Sequence, residues 1–141
     1  MAVPPTKARK PPRWYGGAHV PTRVIRKFVR EVADRFHPEK IILFGSYAYG
    51  TPHEDSDVDI LVVMPARNQG DMAFKIRCAI EPPFAAHIVV RTPYAMAWRL
   101  REGDSFLREV VAKGRVLYES PDSRMGQKSR SRLPRRAAAS K

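Results

Sequence analysis

The stretch Leu43–Val63, "LFGSYAYGTPHEDSDVDILVV", joins two apolar runs through a polar segment. The first run ends in Gly45-Ser46, and the second begins with Asp57 and Asp59, one residue apart. Side chains two residues apart on a β-strand lie on the same face. Two carboxylates on a buried face repel each other and lose solvation, so a neutral core is a costly place for them. The pair therefore predicts a bound cation at the start of this strand.

A divalent cation resolves the conflict, because Mg²⁺ takes carboxylate and phosphate oxygens together. Gly45 follows the first strand directly, and a glycine there permits a positive φ or the close approach of a ligand. If a short helix begins near Ser46, its first amides suit a phosphate group. The stretch therefore predicts a nucleotidyl-transfer site in which Asp57 and Asp59 hold Mg²⁺ and Gly45-Ser46 hold a triphosphate.

Gly45-Ser46, ten intervening residues and then Asp57-x-Asp59 resemble the signature of the minimal nucleotidyltransferases, small members of the DNA polymerase beta superfamily. The resemblance covers residues 22–119, including the closing "EVVAKGRVLYE". It implies that Gly45 and Ser46 correspond to the phosphate-gripping pair of the family. It also implies that Asp57 and Asp59 correspond to the two metal ligands.

The resemblance carries further expectations about the fold and the reaction. It implies a mixed β-sheet flanked by helices, with ATP or another nucleoside triphosphate as substrate and Mg²⁺ as cofactor. The implied reaction transfers a nucleoside monophosphate, first of all AMP, to a protein or RNA hydroxyl and releases pyrophosphate. Many such proteins pair with a helical HEPN-domain toxin, acting as its antitoxin and, in some systems, adenylylating it.

The third carboxylate of the family normally lies on the following strand, where this chain has His87. Three interpretations of His87 are open. It replaces the acid as a ligand or base, since neutral imidazole binds metal and accepts a proton. Alternatively, it marks a site that binds nucleotide and transfers it slowly or not at all. In the third interpretation the strand alignment is shifted, and another acid such as Glu81 serves.

The departure at position 87 leaves more than one function open. The first is an active nucleotidyltransferase. The alternative is a catalytically weak or inactive nucleotide-binding relative that acts as an antitoxin by masking a partner. A nucleic-acid-binding module driven by basic chain ends is a third function class, because clustered Lys and Arg attract polyanions without regard to sequence.

The flanking sequence predicts an α/β (α+β) domain. Apolar residues at three- and four-residue spacing predict a helix over residues 21–36, with Thr22 as its N-cap. Nearly continuous apolar runs predict strands over Lys40–Phe44 and Val58–Val63 that are buried on both faces. The further elements are predicted in the order helix, strand, helix, helix and strand, at Asp71–Ile80, Phe84–Val90, Thr92–Gly103, Asp104–Gly114 and Arg115–Glu119.

Two aromatic residues on the predicted helix Thr92–Gly103 are expected to pack against the core. Tyr94 and Trp98 are four residues apart, so they lie on the same side of that helix. Thr92 is the predicted N-cap of the same helix, with Pro93 at its first position.

The net charge of +12 is unevenly distributed along the 141 residues. Residues 14–120 hold 15 Lys/Arg and 13 Asp/Glu, so the chain ends carry most of the excess. We expect a flexible, Pro-rich basic segment at 1–20, the nucleotidyltransferase domain at 21–119 and a disordered basic tail at 120–141. The tails either make non-specific contacts with polyanions or remain solvated ends.

The composition also bears on the compartment. Cys78 is the one cysteine, which excludes an internal disulfide framework and fits a reducing cytosol. No run of about 18 apolar residues is present, and the N-terminus lacks an apolar signal region. A cytoplasmic protein with no membrane partner is therefore expected.

Overall fold

A computed structural model describes residues 19–52 and 56–121, which form a four-stranded mixed sheet with helices on both faces. The helices are α1 (Thr22–Phe36), α2 (Ser46–Tyr49), α3 (Gln69–Ala79), α4 (Pro93–Arg101) and α5 (Ser105–Lys113). The strands are β1 (Lys40–Phe44), β2 (Val58–Val63), β3 (Ala86–Arg91) and β4 (Arg115–Glu119). The predicted mixed α/β architecture is confirmed. The flexible ends were predicted at residues 1–20 and 120–141, and most of these residues lie outside the described part.

The sheet has the strand order β3-β2-β1-β4. Strand β1 runs antiparallel to both β2 and β4, and β2 runs parallel to β3. The register pairs Phe44 with Asp59 and Asp59 with His87. These three residues therefore form one row across three strands, at the end where β2 and β3 begin.

Apolar side chains cover both faces of the sheet, as the continuous apolar runs predict. On one face, α1 and α3 enclose a cluster that includes Phe28, Ile76 and Val62. On the other face, α5 contributes Leu107 and Val110 to a smaller cluster with Ile42, Phe44, Leu61 and Val63. Because successive strand residues alternate between faces, Asp59 belongs to the face of Leu61 and Val63, the one covered by α4 and α5.

The first helix begins differently from the prediction. Pro21 is its N-cap, with an extended backbone (φ −65°, ψ 147°), and no side chain caps the helix. The Pro21 carbonyl accepts hydrogen bonds from the amides of Val24 and Ile25. Thr22 is therefore already inside the helix, and its prediction as N-cap is wrong.

Two other boundaries shift by about two residues. Helix α3 begins at Gln69 instead of Asp71, because the Asn68 side chain caps it by accepting a hydrogen bond from the Asp71 amide at 2.9 Å. Strand β3 spans Ala86–Arg91 instead of Phe84–Val90. The end of β3 is continuous with the cap of α4, where the Thr92 hydroxyl accepts from the Ala95 amide at 3.0 Å, as predicted.

The expected packing of Tyr94 and Trp98 is wrong. Tyr94 is 78% exposed and Trp98 is 43% exposed. Helix α4 instead turns Met96 and Leu100 towards the smaller cluster, which directs the other two side chains outwards. The guanidinium of Arg99 lies 5.7 Å from the centre of the Trp98 ring.

Throughout the part of the chain that the structure describes, each helix is too short or too polar to cross a bilayer.

Candidate active site

A tight glycine turn connects β1 to α2. Gly45 has φ 76° and ψ −162°, a backbone conformation that is essentially restricted to glycine. A β-carbon at Gly45 would lie 2.1 Å from Oδ2 of Asp59, which is far inside contact distance. Helix α2 begins at Ser46, which meets the condition that the sequence analysis set for a phosphate-binding turn. The glycine therefore allows the turn to lie directly against the Asp59 carboxylate.

Asp59 lies at the centre of the cross-strand row and is the most constrained acid of the site. Its side chain is 24% exposed, and its Oδ1 lies 3.1 Å from Nδ1 of His87. Burial raises the pKa of Asp59, and the Asp57 charge raises it further, whereas the hydrogen bond and charge of His87 lower it. The pKa of Asp59 is raised overall, so ionisation costs more free energy here than in water, and a bound cation would offset that cost.

Asp57 precedes β2 and is exposed to solvent. Its charge acts on the pKa of Asp59, so the two carboxylates lie within electrostatic range of each other. Within residues 19–52 and 56–121, no group of three or more His, Cys, Asp or Glu side chains is arranged to hold a metal ion. Two carboxylates nevertheless fit Mg²⁺, because that ion is usually held by one or two carboxylates together with substrate phosphates and water.

His87 lies in the place that the strand alignment assigns to the third acid. Its side chain is 58% exposed, and its ring meets Phe44 edge to face with 6.4 Å between centroids. Because an ionised carboxylate only accepts hydrogen bonds, Nδ1 of His87 must donate to Asp59. In the neutral ring this leaves Nε2 unprotonated and able to accept a proton.

Glu81 lies elsewhere. It borders a cavity beside α1, together with Arg23 and Lys27, on the side of the sheet opposite to Asp59. The interpretation in which Glu81 replaces the third acid therefore has no support from the geometry.

A second polar cluster borders the glycine turn, and most of its contacts are not predicted from the sequence. The Tyr49 hydroxyl donates to Oε2 of Glu109 at 3.1 Å, and Nζ of Lys113 lies 5.9 Å from the centre of the Tyr49 ring. Burial raises the pKa of Tyr49, as do the hydrogen bond to Glu109 and the charge of Asp59. Glu109 and Lys113 are four residues apart on α5, but no local signal shows that α5 lies beside α2.

The family of the chain follows from comparison with known proteins. A family model described as nucleotidyltransferase domain matches residues 25–117, which include the glycine turn, both acids and His87. The chain belongs to this nucleotidyltransferase family, and the membership predicted from the sequence is confirmed.

The chain is also similar to individual known proteins. A candidate protein adenylyltransferase of Methanocaldococcus jannaschii is 32% identical over 104 residues, which cover 68% of this chain and 96% of that protein. The solved structure of a candidate nucleotidyltransferase from Sulfolobus solfataricus is 20% identical and covers 69% of this chain and 78% of its own, with a TM-score of 0.45. A toxin–antitoxin structure containing AMP-PNP is 24% identical. The match covers 76% of this chain and 90% of that one, with a TM-score of 0.46.

Proposed function

We propose that this chain is a Mg²⁺-dependent adenylyltransferase that moves AMP from ATP to a protein hydroxyl and releases pyrophosphate. Family membership supports nucleotidyl transfer, and the relative from Methanocaldococcus jannaschii supports protein as the acceptor. The observation that carries the proposal is the contact between the Gly45 turn and the Asp59 carboxylate. A HEPN-domain protein is the acceptor that the sequence resemblance favours, and an RNA hydroxyl is the other acceptor to test.

The turn after β1 offers the groups that hold phosphate. The Gly45 carbonyl accepts the amides of Ala48 and Tyr49, so the amides at the start of α2 have no partner within that helix. The Ser46 hydroxyl adds a donor at the same point. Since Gly45 has no side chain, a triphosphate can approach this backbone closely.

Asp57 and Asp59 are the residues that would hold Mg²⁺. When bound, the ion would neutralise charge on the phosphates and on the departing pyrophosphate. His87 orients Asp59, because its Nδ1 is hydrogen-bonded to Oδ1 of that carboxylate. A hydrogen-bond partner of this kind fixes the direction of a ligating carboxylate.

The transfer itself exchanges one P–O bond for another. The acceptor oxygen bonds to the α-phosphorus, and the bond from that phosphorus to the bridging oxygen breaks, with its electron pair leaving on pyrophosphate. The proton of the acceptor hydroxyl passes to Nε2 of His87, the nitrogen that the hydrogen bond to Asp59 leaves free. Asp59 stabilises the resulting imidazolium through Nδ1.

One observation favours a second function, namely nucleotide binding without turnover in a protein that masks its partner. His87 supplies no negative charge where the family has a third carboxylate, and its ring is tied to one of the two acids that remain. A site with less negative charge binds a divalent cation less tightly.

A labelling experiment separates the two functions. The chain is incubated with Mg²⁺ and a HEPN-domain protein, using ATP labelled on either the α- or the γ-phosphate. The adenylyltransferase proposal predicts that only the α-label reaches protein, and that Asp59→Asn abolishes this transfer. ATP binding without labelling of any protein or RNA acceptor would favour the masking function.

A further inference from the structure

Helix α1 carries a basic face that the proposed function does not use. Arg23, Arg26, Lys27 and Arg30 are exposed and spaced at i, i+3, i+4 and i+7, so they line one side of the helix. No acidic residue lies between positions 22 and 30. The ion pairs within residues 19–52 and 56–121 are Lys40–Glu119, His87–Asp59 and Arg99–Asp104, and none of them includes these four cations.

Part of this basic face borders a groove between α1 and β4. Arg26 and Arg30 line one wall, and Leu117 and Tyr118 of β4 line the other. Asp34 is the acid among the residues that line this groove. Guanidinium groups beside an aromatic ring are a combination that nucleic-acid-binding proteins use for phosphate contact and base stacking.

We propose that the basic face of α1 and its groove bind the backbone of single-stranded nucleic acid. The four cations span about 10.5 Å of helix, at about 1.5 Å per residue. The row of four exposed cations, bordered by the acids Glu31, Asp34 and Glu81, still carries an excess of positive charge that is complementary to a short run of phosphates.

The sequence at both ends of the domain extends the same charge. Four Lys/Arg and no acid lie in residues 1–13, before α1, and seven Lys/Arg lie in residues 121–141, after the strand that carries Tyr118. Helix α1 covers the sheet face opposite to that of Asp59, and its basic face includes none of the residues proposed to hold the nucleotide or the metal ion. This inference is therefore independent of the proposed transferase reaction.

A membrane surface fits this helix poorly. An interfacial helix inserts its apolar face into the bilayer. In α1 the apolar face, with Ile25, Phe28 and Val32, is almost fully buried in the core of the domain. The cations of α1 are therefore free to contact a soluble polyanion, whereas its apolar side chains are not free to insert into a membrane.

The test compares the full chain with two double charge reversals. Arg26→Glu with Arg30→Glu changes the proposed surface, and Arg67→Glu with Arg101→Glu makes the same change in net charge at exposed positions elsewhere. Fluorescence anisotropy measures binding to a single-stranded RNA oligonucleotide and to DNA of the same sequence, over a series of salt concentrations. Circular dichroism and thermal unfolding confirm that both variants are folded, and Arg26→Gln with Arg30→Gln provides a milder pair.

We expect the α1 reversal to weaken binding about tenfold or more, and to lower the slope of log K against log salt by about 0.7 for each lost phosphate contact. The control reversal should have a clearly smaller effect. Comparison of RNA with DNA identifies the natural source of the strand. Equal losses of RNA binding in both variants, or unchanged RNA binding by the α1 variant, would overturn the proposal. Binding of the full chain to polyglutamate without binding to RNA would overturn it as well.

Discussion

Gly45 and Asp59 lie so close together that the site has no room for one additional carbon between them. A β-carbon on Gly45 would be 2.1 Å from Oδ2 and 3.0 Å from Cγ of Asp59. Gly45 directly follows β1 and Asp59 lies in the adjacent strand β2, where it pairs in register with Phe44, the residue before the glycine. The turn that would hold phosphate and the acid that would hold the cation are thus a single packed unit.

Substitution of this glycine should damage stability and activity together. Gly45→Ala places a methyl group against Asp59 and forces a glycine-only backbone region, at a cost of about 1–3 kcal/mol. We expect a lower melting temperature and loss of AMP transfer. The matched control is Gly50→Ala, because Gly50 also has positive φ (83°) but nothing lies within 4 Å of its added β-carbon. This control should lose some stability and keep its transfer activity; equal activity loss in both variants would contradict the contact argument.

Removing the central acid should separate stability from function. The pKa of Asp59 is raised in the folded state, chiefly by burial. An acid with a raised folded-state pKa destabilises the fold at pH values above that pKa, and this cost vanishes below the unfolded-state pKa. Near neutral pH, Asp59→Asn should therefore have a higher melting temperature than the wild type. The difference in melting temperature should shrink as the pH falls. AMP transfer should be lost in this variant at every pH. A variant that is less stable at neutral pH would show that the hydrogen bond to His87 outweighs burial.

His87 is the residue that decides between the two candidate functions. If Nε2 accepts the proton of the acceptor, His87→Ala should lower kcat by about 100-fold, with ATP binding retained. Steady-state labelling kinetics and calorimetric ATP titrations measure the two quantities. A His87→Asp variant that transfers AMP faster than the wild type would indicate instead that the histidine limits the chemistry, in favour of the masking function.

The turn between α4 and α5 gives a test of stability alone. Asp104 caps α5 by accepting a hydrogen bond from the Leu107 amide at 2.9 Å, and Arg99 lies 3.4 Å away. The Leu107 bond is the main cause of the lowered pKa of Asp104. A depressed pKa gives stability that is complete above the unfolded-state pKa and is lost as the pH falls through the folded-state pKa.

Asp104→Ala should therefore lower the melting temperature at neutral pH, and the difference from the wild type should narrow below about pH 4. Asp104→Asn is the control, because asparagine caps helices about as well as aspartate. Both variants should keep their transfer activity, since the cap does not touch the site. If the melting temperatures of Asp104→Ala and the wild type differed by the same amount at all pH values, a role for the ionised carboxylate would be contradicted.

Local patterns predicted the elements that build the site. The continuous apolar runs of β1 and β2 are buried, and the glycine between β1 and α2 has a positive φ, one of the two roles that the sequence left open for it. Local sequence patterns were less informative where tertiary contacts with other elements decide whether a side chain is buried. Tyr94 and Trp98 are exposed because Met96 and Leu100 make the tertiary contacts of α4. Glu109 meets Tyr49 across 60 positions of sequence, a contact that no local spacing encodes.

Calorimetric titration with ATP, in the presence and absence of Mg²⁺, tests the central claim most directly. The wild-type chain should bind ATP more tightly with Mg²⁺, because the ion would be shared between the phosphates and the two acids beside the glycine turn. Asp59→Asn should remove this Mg²⁺ dependence while leaving the fold intact. Undiminished Mg²⁺-dependent ATP binding by Asp59→Asn would contradict the claim that a nucleotide is held at this contact.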